Sequence, residues 1–88
     1  MPVTSATVSV GTAVVEVSGP SIRSQFVYLQ DGDYAGDTEV YVGGSDVTTS
    51  TGVKLSKTNT TVFQSYQDDA FYAVSDTAGA VVKVLEVK

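Results

Sequence analysis

Val40-Tyr41-Val42-Gly43-Gly44-Ser45-Asp46-Val47-Thr48, closed by Gly52-Val53-Lys54-Leu55, is the stretch that decides the fold. Val40 and Val42 alternate with Tyr41, the period-2 mark of a strand with one face turned to a core. Gly43-Gly44 then interrupts the side chains, Ser45 and Asp46 supply turn chemistry, and Gly52 returns the chain to a short apolar run. Gly43, Gly44, Asp46 and Gly52 are therefore read as structural turn residues.

The same pattern continues on both sides. Toward the N-terminus, Asp31 to Asp37 is the clearest loop, and Ser21 to Gln30 before it is a long strand. On that strand Val27 and Leu29 face one way and Ile22, Phe26 and Tyr28 the other. Large apolar residues on both faces predict a central strand, or one whose second face meets another subunit. Gly19-Pro20 is a stop signal, because proline lacks the ladder donor and fixes its own φ. Ala13 to Ser18 and Thr7 to Val10 are further strands, preceded by a polar start over residues 1–7. Toward the C-terminus, a polar turn over Lys57-Thr58-Asn59 leads to a strand at Thr60 to Tyr66. Gln67-Asp68-Asp69 turns the chain into Ala70 to Ser75, and Asp76 to Gly79 links to Ala80 to Val87. In the last strand strict alternation groups Glu86 with Val82 and Val84. A β-bulge near Val84 and Leu85 would instead place Val82, Val84, Leu85 and Val87 inward and every charge outward. The alternative is a flat strand buried on both faces, one of them covered by a partner, and the bulge is the favoured expectation. Strands this short with turns this regular predict an all-β fold, a small sandwich or barrel of about seven to eight mostly antiparallel strands.

At 88 residues the chain is read as one domain, 1–88. Domains of this size bury only about 60% of the surface their unfolded chains expose, so the small ones lean on staples or neighbours. The sequence contains neither cysteine nor histidine, which removes disulfides, thiolate metal sites and the commonest zinc ligand. Packing or assembly must supply the stability, and assembly is the reading favoured here. β-Branched valine and threonine dominate, leucine occurs only at positions 29, 55 and 85, and no helical apolar period is present. The formal net charge is −5, with Arg23, Lys54, Lys57, Lys83 and Lys88 scattered. That balance disfavours phosphate backbones and anionic lipid, so neither nucleic acid nor membrane is an expected partner. The N-terminus shows no basic leader or apolar h-region, and no apolar run reaches the roughly 20 residues of a membrane helix. The expected product is soluble and made in the cytoplasm.

Candidate chemistry is sparse. Asp31, Asp33 and Asp37 alternate with glycine as calcium loops do. The bidentate carboxylate such a loop needs is absent five residues past Asp37, where Val42 stands, so turn formation is the better reading and no cofactor or metal is expected. Nucleophilic catalysis lacks its usual base. Asp68 and Asp69 are the nearest carboxylate pair, and adjacent strand residues face opposite ways, so the protein is expected to be a non-enzyme. Among the tyrosines, Tyr34 lies alone in a glycine-flanked loop and is the clearest contact candidate. Ile22, Phe26, Tyr28 and Tyr34 are the candidate interface residues.

Four pieces in order resemble a known group. Phe26-Val27-Tyr28-Leu29-Gln30, the Val40 to Leu55 stretch, Phe71-Tyr72-Ala73-Val74-Ser75 and Val81-Val82-Lys83-Val84-Leu85-Glu86 are similar to short all-β structural proteins of tailed bacteriophages. They are similar also to β domains attached to some phage structural proteins. The resemblance covers roughly residues 25–87. It implies a virion component without an active site, most directly a capsid decoration or cement protein on the capsid surface that bridges major capsid protein subunits as a homo-oligomer, a trimer by analogy. A neck, tail or fibre component, or a carbohydrate- or protein-binding β module, is the alternative. Residues 1–7 are read either as an arm that adds a strand to a partner's sheet or as a frayed end.

Overall fold

The computed structural model describes residues 3–19, 25–32, 38–65 and 69–87. Those residues form an all-β structure of eight strands without a helix: β1 (Val3–Val10), β2 (Val15–Ser18), β3 (Gln25–Asp31), β4 (Val40–Gly43), β5 (Val53–Lys54), β6 (Thr61–Ser65), β7 (Phe71–Ser75) and β8 (Ala80–Val87). They make two four-stranded sheets, one in the order β1-β8-β3-β6 and the other in the order β2-β7-β4-β5. Every pairing is antiparallel. The two sheets pack face to face as a small β-sandwich, the architecture expected from the alternating runs.

The core follows from those runs. Val27 and Leu29 of β3, Val40 and Val42 of β4, and Ala80, Val82 and Val84 of β8 point between the sheets, joined by Val10, Val17, Leu55 and Ala73. Apart from Leu29 and Leu55 the buried members of this cluster are valines and alanines. Phe63 of one sheet packs against Phe71 of the other beside this core, with ring centroids 5.3 Å apart and planes tilted by 34°. A tilted pair of this kind adds about 0.5–1.5 kcal/mol beyond its buried area.

Two strands differ from expectation. β8 carries no bulge: its register runs unbroken from Val3↔Val87 to Val10↔Ala80 on one side and from Phe26↔Val87 to Asp31↔Val82 on the other. Leu85 therefore faces outward, 36% exposed, instead of inward. Strict alternation turns Glu86 inward, a cost that a bulge would avoid. Ser18 removes that cost, donating from Oγ to Glu86 Oε2 at 2.6 Å, and a hydrogen bond to a carboxylate is among the stronger ones. The irregularity falls in β2, between Glu16 and Ser18, beside the residue that reaches Glu86. The second difference is β1, which starts at Val3 rather than Thr7 and pairs with β8 over its whole length. The start of the chain is thus a strand of its own sheet from Val3 onward.

The decisive stretch forms the β4–β5 hairpin, with Tyr41↔Lys54 and Val42↔Val53 paired. Val47 N–H donates to Gly44 C=O (3.0 Å), closing a turn over Ser45 and Asp46. Thr48 organises a second turn, which the sequence reading did not mark: its hydroxyl accepts from the amides of Ser50 and Thr51, and its carbonyl accepts from the amide of Gly52. The excursion folds back so that Val47 is buried against β4. A Cβ on Gly43 would meet Val47 Cγ2 at 2.9 Å. One on Gly52 would meet Tyr41 Cβ at 2.7 Å, Val47 Cγ2 at 2.8 Å and Thr48 C=O at 3.1 Å. The glycines are needed for close approach. Gly52→Ala is expected to destabilise by about 1–3 kcal/mol through overpacking. Gly44→Ala, whose nearest foreign atom is Asp46 Oδ1 at 3.4 Å, should stay within about 0.5 kcal/mol. Urea unfolding midpoints of the two variants check the contrast.

Candidate functional site

The outward face of the β1-β8-β3-β6 sheet follows directly from the register. One row across it reads Val3, Val87, Phe26, Gln64, and the next reads Ser5, Leu85, Tyr28, Val62. Neighbouring strands lie about 4.8 Å apart and alternate residues along a strand about 7 Å. The apolar members of both rows therefore form one continuous patch. Val3 is 61% exposed, Val62 50%, Phe26 47% and Leu85 36%. A third row, Thr7, Lys83 and Gln30, is polar, with Lys83 Nζ donating to Thr7 Oγ1 (3.1 Å) and Thr60 Oγ1 to Gln30 Oε1 (3.1 Å). Along the boundary lies an open hollow of about 580 Å³ whose lining includes Tyr28, Leu85, Lys83, Gln30 and Thr7.

On the outward face of the other sheet Val74, paired with Tyr41, is 5% exposed, and Val47 of the 44–52 excursion, lying against Gly43 and Gly52, is 5% exposed. Val53 on the edge strand is 54% exposed, and the ion pair between Lys54 Nζ and Glu39 Oε2 (3.3 Å) lies at the same edge. A second hollow, about 510 Å³ and mostly apolar, opens between Val42, Val53, Phe63 and Phe71 at the sandwich's end. Exposed apolar residues scattered singly need no explanation. The contiguous patch across β1, β8, β3 and β6 is the candidate interaction surface.

Of the residues singled out in the sequence, Phe26 and Tyr28 lie side by side on this patch. Ile22 and Tyr34 fall outside the described residues. The patch also contains Leu85, Val62, Val3 and Val87, which the sequence reading left out. Alternation marks which residues share a face of one strand, and pairing between distant strands is what assembles them. Gly43, Gly44, Asp46 and Gly52 form the turn assigned to them, on the far side of the molecule.

Asp31, the first carboxylate of the candidate calcium loop, ends β3 and is fully buried. Lys57 Nζ lies 3.8 Å from its Oδ2 and also donates to the carbonyl of Thr38. The Lys57 carbonyl accepts from Gln30 Nε2 (2.9 Å), and the Asp31 amide donates to Ser56 C=O (3.0 Å). These contacts latch the end of β3 to the β5–β6 connection, a structural role. Asp33, Asp37 and Asp68 lie outside the described residues, and Asp69 is exposed at the edge of the second hollow. Among the described residues, no three metal-ligating side chains converge. Compared with protein-family models, curated proteins and solved structures, the chain matches none of them.

Two outcomes separate face from core. Phe26→Ser should leave stability within about 0.5 kcal/mol, whereas Leu29→Ala, one position in register away from Tyr28 but fully buried, should cost about 2–5 kcal/mol. In thermal melts the second shift exceeds about 10 °C and the first does not reach 4 °C. Lys57→Met, which strips the cation from buried Asp31, should cost about 3 kcal/mol, read by the same melts.

Proposed function

We propose that this protein is a non-enzymatic structural component of a virion, a capsid decoration or cement protein that stabilises a phage head by bridging major capsid protein subunits. The single observation that carries this reading is the bare apolar face over Phe26, Tyr28, Leu85 and Val62. A cement protein needs a rigid module with one apolar face to seat on a shell. Many copies engaged on one shell gain from effective concentration, so each seat can be individually weak. The resemblance of residues 25–87 to small phage structural proteins points the same way.

A second reading, a carbohydrate-binding β module, is favoured by the hollow. There an aromatic ring at Tyr28 stands beside the donors and acceptors of Lys83, Gln30 and Thr7, the combination of stacking face and placed polar groups that sugars use. Placement in a neck, tail or fibre is the third.

Quantitative mass spectrometry of purified particles separates the viral readings. Cement predicts copies in the hundreds per particle, and a tail or fibre part predicts few. Phe26→Ser with Leu85→Ser should lower occupancy on expanded heads without changing the melt of the free protein. Absence of the chain from particles, together with a saturable change in tyrosine fluorescence on sugar titration, would overturn cement in favour of glycan binding.

A further inference from the structure

The four sheet edges are not alike. β5 is only Val53–Lys54 and carries a lysine; β2 is four residues long, includes Glu16 and is interrupted by its register shift. β6, at five residues, is short. Short strands, charges and bulges are the usual devices that keep an edge from pairing with a foreign strand. β1 has none of them. Its eight residues, Val-Thr-Ser-Ala-Thr-Val-Ser-Val, are uncharged, contain no proline and pair with β8 without a break. On its other side every second residue points its N–H and C=O away from the sheet.

Exposure adds a second observation. Thr4 and Ala6 lie on the inward-facing side of β1, across from Glu86 and Val84, yet Val3 to Thr7 are all exposed. The opposing sheet does not reach over this stretch, so the strand is open on both faces as well as along its edge. Nothing in the described chain blocks an incoming strand.

From this we infer that β1 is a homodimerisation edge: two copies of the chain pair antiparallel, β1 against β1, across a two-fold axis perpendicular to the sheet. The partner is a second copy for two reasons. An antiparallel edge is complementary to itself, so one isologous contact pairs seven of the eight residues of each strand, 3–9 or 4–10 according to the axis, and closes. Pairing of β1 with β6 would cover at most the five residues of β6 and leave a free edge to propagate. Charge is the other reason. A chain of net charge −5 repels its own copy over most of its surface, and β1 brings no charge of its own to the contact.

Pairing across such an axis keeps inward residues opposite inward ones, so the axis must pass through a residue pair of one kind, Ala6 with Ala6 or Thr7 with Thr7. The resulting eight-stranded sheet carries both Phe26–Tyr28–Leu85 patches on the same side. This goes beyond the proposed function and does not rest on it; it also replaces the trimer that the resemblance implies with a dimer.

The test uses the full chain. Light scattering across a concentration series should show the mass rising from the 9.2 kDa of the monomer to twice that value. Ser5→Lys combined with Ser9→Lys places like charges near one another across the axis on exposed positions, and should weaken the dimer at least about tenfold while the circular dichroism stays unchanged. Because the sequence lacks cysteine, Ala6→Cys and Thr7→Cys report the axis directly. Paired residues lie about 4.5–5.5 Å apart, within disulfide reach, so the variant on the axis should crosslink at low concentration while Thr49→Cys, on the excursion over the other sheet, should not. A chain that stays monomeric at every concentration, a mass of three or more copies, or cysteine variants at 6 and 7 that crosslink no faster than the one at 49 would each overturn the inference.

Discussion

The unbroken alternation of β8 is the constraint on which the rest depends. The strand runs between β1 and β3, and its register assigns Ala80, Val82 and Val84 to the core while turning Lys83, Leu85 and Val87 outward. A side-chain period of two leaves no intermediate choice, because a slip of one residue would exchange the two sets. The price of this register is an inward Glu86, and Ser18 meets it from the opposing sheet. One hydroxyl at the edge of the sandwich thereby fixes which residues appear on the outer surface some way from it. With a bulge at Val84, Leu85 would have gone inside and the patch beside Tyr28 would have lost its middle.

The two sheets differ on their outer faces. Between them, valine and alanine pack around Leu29 and Leu55, the largest wholly buried side chains. The β2-β7-β4-β5 sheet gains a third layer from its own chain, since the glycines at 43 and 52 let the 44–52 excursion lie flat enough to bury Val47 over β4. The β1-β8-β3-β6 sheet gains nothing comparable from the described residues. Its outer apolar side chains stay in water, and the hydrophobic term they could contribute, roughly 25 cal/mol for each Å² removed from water, is realised only against another molecule.

Where local chemistry decides structure, the sequence was readable. Alternation in Phe26 to Gln30 and Val40 to Val42, and the turn residues between strands, were enough for the all-β class, most strand positions, the hairpin and the opposed faces of β3. What escaped depends on pairing between remote segments. Val3 to Thr7 lacks apolar alternation because neither of its faces is covered, so only its ladder to β8 makes it a strand. Glu86 could be placed only by knowing that Ser18 arrives opposite it, sixty-eight residues away in the chain. Asp31 looked like the head of a loop because Asp and Gly follow it, and its burial depends on Lys57 from a distant connection. Of the apolar residues of the candidate face, Phe26 and Tyr28 were visible from β3 alone; Leu85, Val62, Val3 and Val87 join it only through the sheet order.

Topology also bears on when the edge is available. Apart from the β4–β5 hairpin, every connection leads from one sheet to the other, and neighbouring strands are distant in sequence, β1 and β8 most of all. Folds dominated by such pairings close slowly, since loop-closure entropy must be met before the contacts return anything. β1 can find its partner only after β8 has been made, and its first half is then held by a single ladder with no cover on either face. Segments with so few contacts open most readily. In the dimer proposed above, a strand added along the free edge would supply a second ladder to the same residues and so link association to the ordering of β1. The proposed contact thus falls on the segment with the least cover of its own.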